Sequence, residues 1–273
     1  MQPQSGVVEA NGATLYYEVA GDGPPLVLIH GFALDRRMWD AQMDALAARA
    51  RVIRYDLRGF GLSSAPGGQP YRHTDDLAAL MDHLGVERAD LVGLSLGGAV
   101  AIDFTLAFPD RVRALIVLDS VLNGFDWSEE NKARDRAVYQ QAREAGIEAG
   151  KQTWLAHPLF SPLMSRPEAA SLFKKILDDY SGWHFVNRNP LIFENPPAAQ
   201  RLAEIGAATL ALVGALDLPD FRRVADALAE GIPGSRKVVI DGVGHMPNME
   251  APPKVNALIL EFLSALDGKA AGA

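Results

Sequence analysis

Residues 90–108 read Asp-Leu-Val-Gly-Leu-Ser-Leu-Gly-Gly-Ala-Val-Ala-Ile-Asp-Phe-Thr-Leu-Ala-Phe. The apolar pair Leu91-Val92 closes a short strand, Gly93-Leu94-Ser95-Leu96-Gly97 makes the turn, and 96–108 continue as an apolar helix with small residues at Gly97, Gly98 and Ala99. A strand that runs straight into a helix is half of a βαβ unit, so the neighbouring strands are sought in parallel. Upstream, Leu26-Val27-Leu28-Ile29 is a continuous apolar run and residues 52–55 are a strand-like run, and 114–118 follow downstream. Such runs suit strands covered on both faces, which is the mark of a parallel sheet between helix layers. Helical patterns separate them: one capped by Asp35 and running to about Arg49, one over 74–84, and one over 96–108. The fold class is therefore α/β.

The chain opens with a hairpin, residues 7–10 and 14–19 around Asn11-Gly12, a dipeptide that tolerates the positive φ of a type I′ turn. The alternation stops at Val121 and resumes near Ala207. The stretch between is helical in composition, holds Trp127, Trp154 and Trp183 of the four tryptophans, and reads as an inserted helical cap. Strands at 209–213 and 237–240 follow, separated by a helix over 221–230 and closed by one over 253–266, with residues 267–273 expected to fray. The domain reading is a core of 1–122 and 206–273 with a helical cap over 123–205.

Composition narrows the function. The 273 residues are 48% hydrophobic and 22% charged, with 26 Lys plus Arg against 34 Asp plus Glu and a net charge of −8. No basic block is present, so a nucleic-acid partner is not expected. Cysteine is absent, which removes disulfides, thiolate nucleophiles and iron–sulfur clusters. No basic n-region with an apolar run opens the sequence, and no apolar run reaches the roughly 18 residues of a membrane span. A cytoplasmic protein without a membrane partner is expected. No H-E-x-x-H, G-x-G-x-x-G or P-loop spacing occurs, so no metal or nucleotide cofactor is expected.

Gly93-Leu94-Ser95-Leu96-Gly97 matches G-x-S-x-G, a turn whose glycines let neighbouring chain pass close to a strained serine. A serine hydroxyl is a poor nucleophile at neutral pH, so Ser95 needs a base and the base needs an orienting acid. Of six histidines only His245 lies in a glycine-bounded loop after a late strand. Asp217 follows the strand at 209–213 by a short turn, and Asp119, at the end of the preceding strand, competes with it. Asp220 reads as an N-cap before Phe221. The backbone N–H groups of Phe32 and Leu96 are the expected oxyanion donors, with His30 bracing the loop. Trp154, Trp183 and Met246, with Phe160 and Phe185, are candidates for a substrate pocket.

His30-Gly31, Asp56-Leu57-Arg58-Gly59-Phe60-Gly61, the turn at Ser95, Asp217 and Gly244-His245, in the order Ser, Asp, His, resemble the α/β-hydrolase superfamily over 14–122 and 206–264. The resemblance implies a mostly parallel eight-stranded sheet, no cofactor, and a cap inserted between the sixth and seventh strands. Within the superfamily, residues 31–40 and 56–61 are similar to small esterases and enol-lactonases, although those lactonases commonly carry histidine where this chain has Phe60. The expected activity is hydrolysis of a small-molecule carboxylic ester or lactone on a Ser-His-Asp triad. Carbon–carbon bond hydrolysis and cofactor-free perhydrolysis remain open on the same triad, as does a small-molecule receptor with slow turnover. Carbon–carbon hydrolases usually have a polar residue before the serine and a Trp after the histidine, where this chain has Leu94 and Met246. Oligomeric state is not legible.

Overall fold

The structure is a computed structural model that describes residues 3–270. Eight strands form one sheet: β1 (Gln4–Ala10), β2 (Ala13–Ala20), β3 (Pro25–Ile29), β4 (Arg51–Tyr55), β5 (Ala89–Leu94), β6 (Val112–Leu118), β7 (Ala208–Gly214) and β8 (Arg236–Ile240). Their spatial order is β1-β2-β4-β3-β5-β6-β7-β8. The β1–β2 and β2–β4 pairs are antiparallel and the rest parallel, with Leu28 opposite Arg54 and Val92, Val92 opposite Ile116, and Leu212 opposite Val238. Asn11 and Gly12 turn the opening hairpin at φ 49° and 76°, as a type I′ connection requires.

The continuous apolar runs sit at the centre of this sheet. Every residue of β5, and all but the first of β3 and β7, is buried, because crossover helices cover both faces. The helices are α1 (Asp40–Ala47), α2 (His73–His83) and α3 (Leu96–Ala107) before β6; α4 (Glu129–Ala145), α5 (Ile147–Leu155), α6 (Ser161–Met164), α7 (Pro167–Asp179) and α8 (Trp183–Val186) in the insertion between β6 and β7; and α9 (Pro219–Gly231), α10 (Pro247–Glu250) and α11 (Pro252–Ala270) after β7. The sheet edges are wetter: β8 exposes Arg236 and Lys237, charges that discourage edge-to-edge pairing.

Three local expectations are corrected. Asp35 caps a 3₁₀ turn, Arg36–Trp39, by accepting from Arg37 N, and α1 begins only at Asp40. Asp220 lies inside α9, whose first residue is Pro219, and its carboxylate instead accepts from the backbone N–H and hydroxyl of Ser128 at the start of α4. The last helix does not stop at Leu266 but continues to Ala270; residues 271–273 of the expected frayed end lie outside the described residues. No described helix is long and apolar enough to cross a membrane.

The insertion between β6 and β7 reaches over the edge of the sheet where the parallel strands end. Arg166 donates to Gly242 O at 2.6 Å, and Trp154 meets the ring of Phe32 edge-on at 5.6 Å. A concave space is thereby closed, lined from the sheet side by Phe32 after β3, Ser95 and Leu96 after β5, Val121 after β6 and Phe221 of α9.

Candidate active site

The turn after β5 holds Ser95 at φ 54° and ψ −115°, a backbone region that non-glycine residues rarely enter. Its neighbours show why glycine surrounds it. A Cβ at Gly93 would stand 2.2 Å from Gly97 O, one at Gly97 2.1 Å from Ile29 O, and one at Gly98 2.3 Å from Ser120 Oγ. Hydrogen bonds from Ser95 N to Leu118 O and from Val121 N to Ser95 O, at 3.0 and 3.1 Å, anchor the strained residue to the end of β6. The strain is thus held by packing on both sides of the turn.

Asp217 and His245 meet at the ends of β7 and β8. Asp217 Oδ2 lies 2.9 Å from His245 Nδ1, and Asp217 Oδ1 accepts from Leu218 N at 2.6 Å. Both side chains are buried. With Nδ1–H directed at the carboxylate, the neutral ring has its lone pair at Nε2. The imidazole packs on Phe221 with ring centres 4.3 Å apart, and Phe221 walls the same cavity as Ser95.

Asp119, the competing acid, stands beside this pair, its φ at 42°. Carboxylate and imidazole atoms of Asp119, Asp217 and His245 lie within 4.8 Å of one another. Asp119 Oδ1 accepts from Gly214 N at 2.9 Å, while Oδ2 is buried with no donor to meet it. Burial, followed by the repulsion of Asp217, holds the Asp119 carboxyl well above the usual carboxylate range.

The loop carrying His245 is fixed by Glu250, which the sequence reading overlooked. Glu250 Oε2 accepts from Gly244 N at 2.8 Å and Oε1 from Met246 N at 3.1 Å, one on each side of the histidine. A carboxylate that takes two backbone donors within six residues of itself reads as a local turn in sequence, and nothing there marks it as a brace for the ring. Glu250→Ala would leave both buried donors unsatisfied and should cost about 3 kcal/mol, given roughly 1.5–3 kcal/mol for a hydrogen bond to a charged group. Urea unfolding checks this, and a loss below about 0.5 kcal/mol would remove the brace from the account.

On the other side, His30 Nε2 accepts from Leu57 N at 2.8 Å, so its Nδ1–H donates to Gly31 O at 2.7 Å and ties the loop after β3 in place. Desolvation lowers the pKa of this fully buried ring, in keeping with a neutral structural histidine. Phe32 and Leu96 line one cavity of about 280 Å³ together with Ser95. The Leu96 N–H opens α3, where a helix leaves its first donors without intrahelical partners. The Phe32 ring leaves the sheet entirely and beds among Phe60, Trp154, Tyr180, His184 and Phe185, with centroids 5.6–6.3 Å away.

Of the pocket candidates, Trp154 and Phe185 line the cavity. Trp183 lies outside it with its edge against His184, Met246 is fully buried next to His245 in the same loop, and Phe160 packs against Trp154. The sequence reading passed over Trp127, Asn131, Asp135, Val138 and Tyr139, which build one wall. Their spacing of four, four, three and one places them on a single face of α4 and its entry, a helical period that was available as a signal. Phe60, standing where similar lactonases carry histidine, stacks on His184 at 4.3 Å with an 11° interplanar angle.

The α/β hydrolase fold family matches residues 24–252. A protein of Azorhizobium caulinodans, provisionally named carbamate hydrolase RutD, is 31% identical over 93% of this chain and 97% of its own. The solved esterase of Thermogutta terrifontis superposes with a TM-score of 0.78 at 32% identity, covering 97% of this chain and 99% of that one. The enol-lactonase of Burkholderia xenovorans gives 0.79 at 26% identity over 95% and 100%.

Proposed function

The chain belongs to the α/β-hydrolase family, and from that premise we propose that it cleaves a small carboxylic ester or lactone through an acyl-enzyme on Ser95, with His245 as base and Asp217 as orienting acid. The observation that carries this reading is the 2.9 Å bond between Asp217 Oδ2 and His245 Nδ1 at the strand ends neighbouring the strained serine. In the first half-reaction His245 Nε2 takes the Ser95 proton as Oγ attacks the carbonyl carbon. The Phe32 and Leu96 N–H groups stabilise the oxyanion that develops. Collapse of the tetrahedral intermediate expels the alkoxide, which leaves with the proton from His245. Water then repeats the sequence on the acyl-enzyme, giving the acid and restoring Ser95.

Residues 1–122 and 206–273 supply every group named in these steps, and residues 123–205 form the cap that shapes the pocket. Selection of substrate is accordingly assigned to the cap and bond-breaking to the core. A fluorophosphonate tests the reading directly. The reagent should form one adduct, found by mass spectrometry on the peptide that contains Ser95. Labelling elsewhere, or none, rejects Ser95 as nucleophile.

A further inference from the structure

Among the described residues that wall the cavity beside Ser95, six are aromatic, and Asp135 is a carboxylate without a cation. No basic nitrogen comes within 4.0 Å of it among the described residues; its one polar partner is Asn131 Nδ2 at 3.5 Å, the limit of a hydrogen bond. Lys132 shares the cavity wall, but its ammonium is drawn outward to Glu129 at 3.1 Å and Asp126 at 3.6 Å. His157, also on the wall, contributes no positive charge: its Nδ1 accepts from Leu159 N, and burial pushes its pKa down to about 4. Burial alone pushes the Asp135 carboxyl up to about 6, the mark of a charge kept from water with no opposite charge to offset the loss. At neutral pH it is nevertheless ionised.

An unpaired anion in an aromatic-walled space complements a cation twice over. The carboxylate supplies an opposite charge, and Trp127, Tyr139 and Trp154 in the same lining supply π-systems that attract a cation. The same arrangement repels a second carboxylate. Resting on the ester or lactone reading above, we propose that the substrate bears an ammonium or related cationic group, seated against Asp135 and the aromatic wall of α4 and α5, and that esters ending in a carboxylate are disfavoured.

The test uses three methyl esters of matched length: hexanoate, 6-aminohexanoate and the monoester of adipic acid, with turnover followed by proton release. At pH 7.5 the amino ester should exceed hexanoate in kcat/KM by roughly tenfold and the adipate ester should fall below it by a similar factor. Asp135→Asn should compress both ratios to within about threefold. Binding is measured separately, by the tryptophan fluorescence of the wild type and Asp135→Asn titrated with hexylammonium and with hexanoate. Hexylammonium should bind roughly tenfold tighter, and the variant should abolish the difference. Equal binding of the two ions, tighter hexanoate, or a preference that survives in a folded Asp135→Asn overturns the proposal. If none of the three esters is hydrolysed, the fluorophosphonate adduct judges the ester or lactone reading by itself, and the titrations still decide whether the cavity takes cations.

Discussion

Ser95→Ala should keep the fold and lose on the order of 10⁶-fold in kcat on any ester the wild type turns over, the scale seen when a triad serine is removed. On the proposed mechanism, loss of Oγ removes the acyl-enzyme and leaves His245 no proton to accept in the first step. The fold should survive because the φ of 54° is imposed by the surrounding glycines and by bonds to Leu118 and Val121, none of which involves the hydroxyl. Ser95→Gly sharpens the test. Glycine enters this backbone region freely, so the variant should be inactive and yet more stable than the wild type by about 1 kcal/mol. Thermal melts with ester assays on both variants check it; activity within a hundredfold of wild type in either one rules out the serine mechanism.

Asp217→Asn should cost on the order of 10⁴-fold in kcat, whereas Asp119→Asn should stay within about tenfold of wild type. An amide at 217 can turn its NH₂ toward Nδ1, which favours the tautomer with its proton on Nε2, where the serine proton must go. An amide at 119 can still accept from Gly214 N with its oxygen, and it carries no charge to repel Asp217. The stability effect has a definite sign. Because burial raises the Asp119 pKa in the folded protein above its unfolded value, the unfolded state binds fewer protons between the ordinary carboxylate pKa and the raised native one. Stability from this group is full below the ordinary carboxylate pKa and is lost as pH rises toward the native one. Asp119→Asn carries no such dependence, so its stability relative to wild type should improve with pH over that window. Steady-state kinetics and urea melts at several pH values decide both points. A larger kinetic loss at 119 than at 217 would move the orienting acid to the end of β6.

Much of the architecture was legible because it depends on local signals with few alternatives. Four-residue apolar runs such as Leu26-Val27-Leu28-Ile29 can be satisfied only between two helix layers, and the glycines around Ser95 mark a close approach whatever lies opposite. Asp217 and His245 could be chosen by position, since strand ends in a parallel sheet gather on one edge. Glu250 and the exclusion of Trp183 were not legible. Each depends on how a helix or loop is rotated against another element, and a tryptophan is equally at home facing the cavity or, like Trp183, lying against His184. Asp220 shows the reverse failure: a residue ideal for starting one helix was taken up by Ser128 at the start of another.

Phe32 joins two parts of the molecule that chemistry would otherwise keep apart. Its backbone belongs to the loop proposed to hold the oxyanion, and its ring is embedded among Trp154, Tyr180, His184 and Phe185 of the insertion. A guest that presses on those rings therefore leans on the hinge of the oxyanion site, so occupancy of the chamber and alignment of the donor are mechanically linked. Snug and ill-fitting guests should then differ in how fast they react once bound as well as in how tightly they bind. Discrimination of that kind acts as a clutch, engaging the reaction only when the chamber is properly filled.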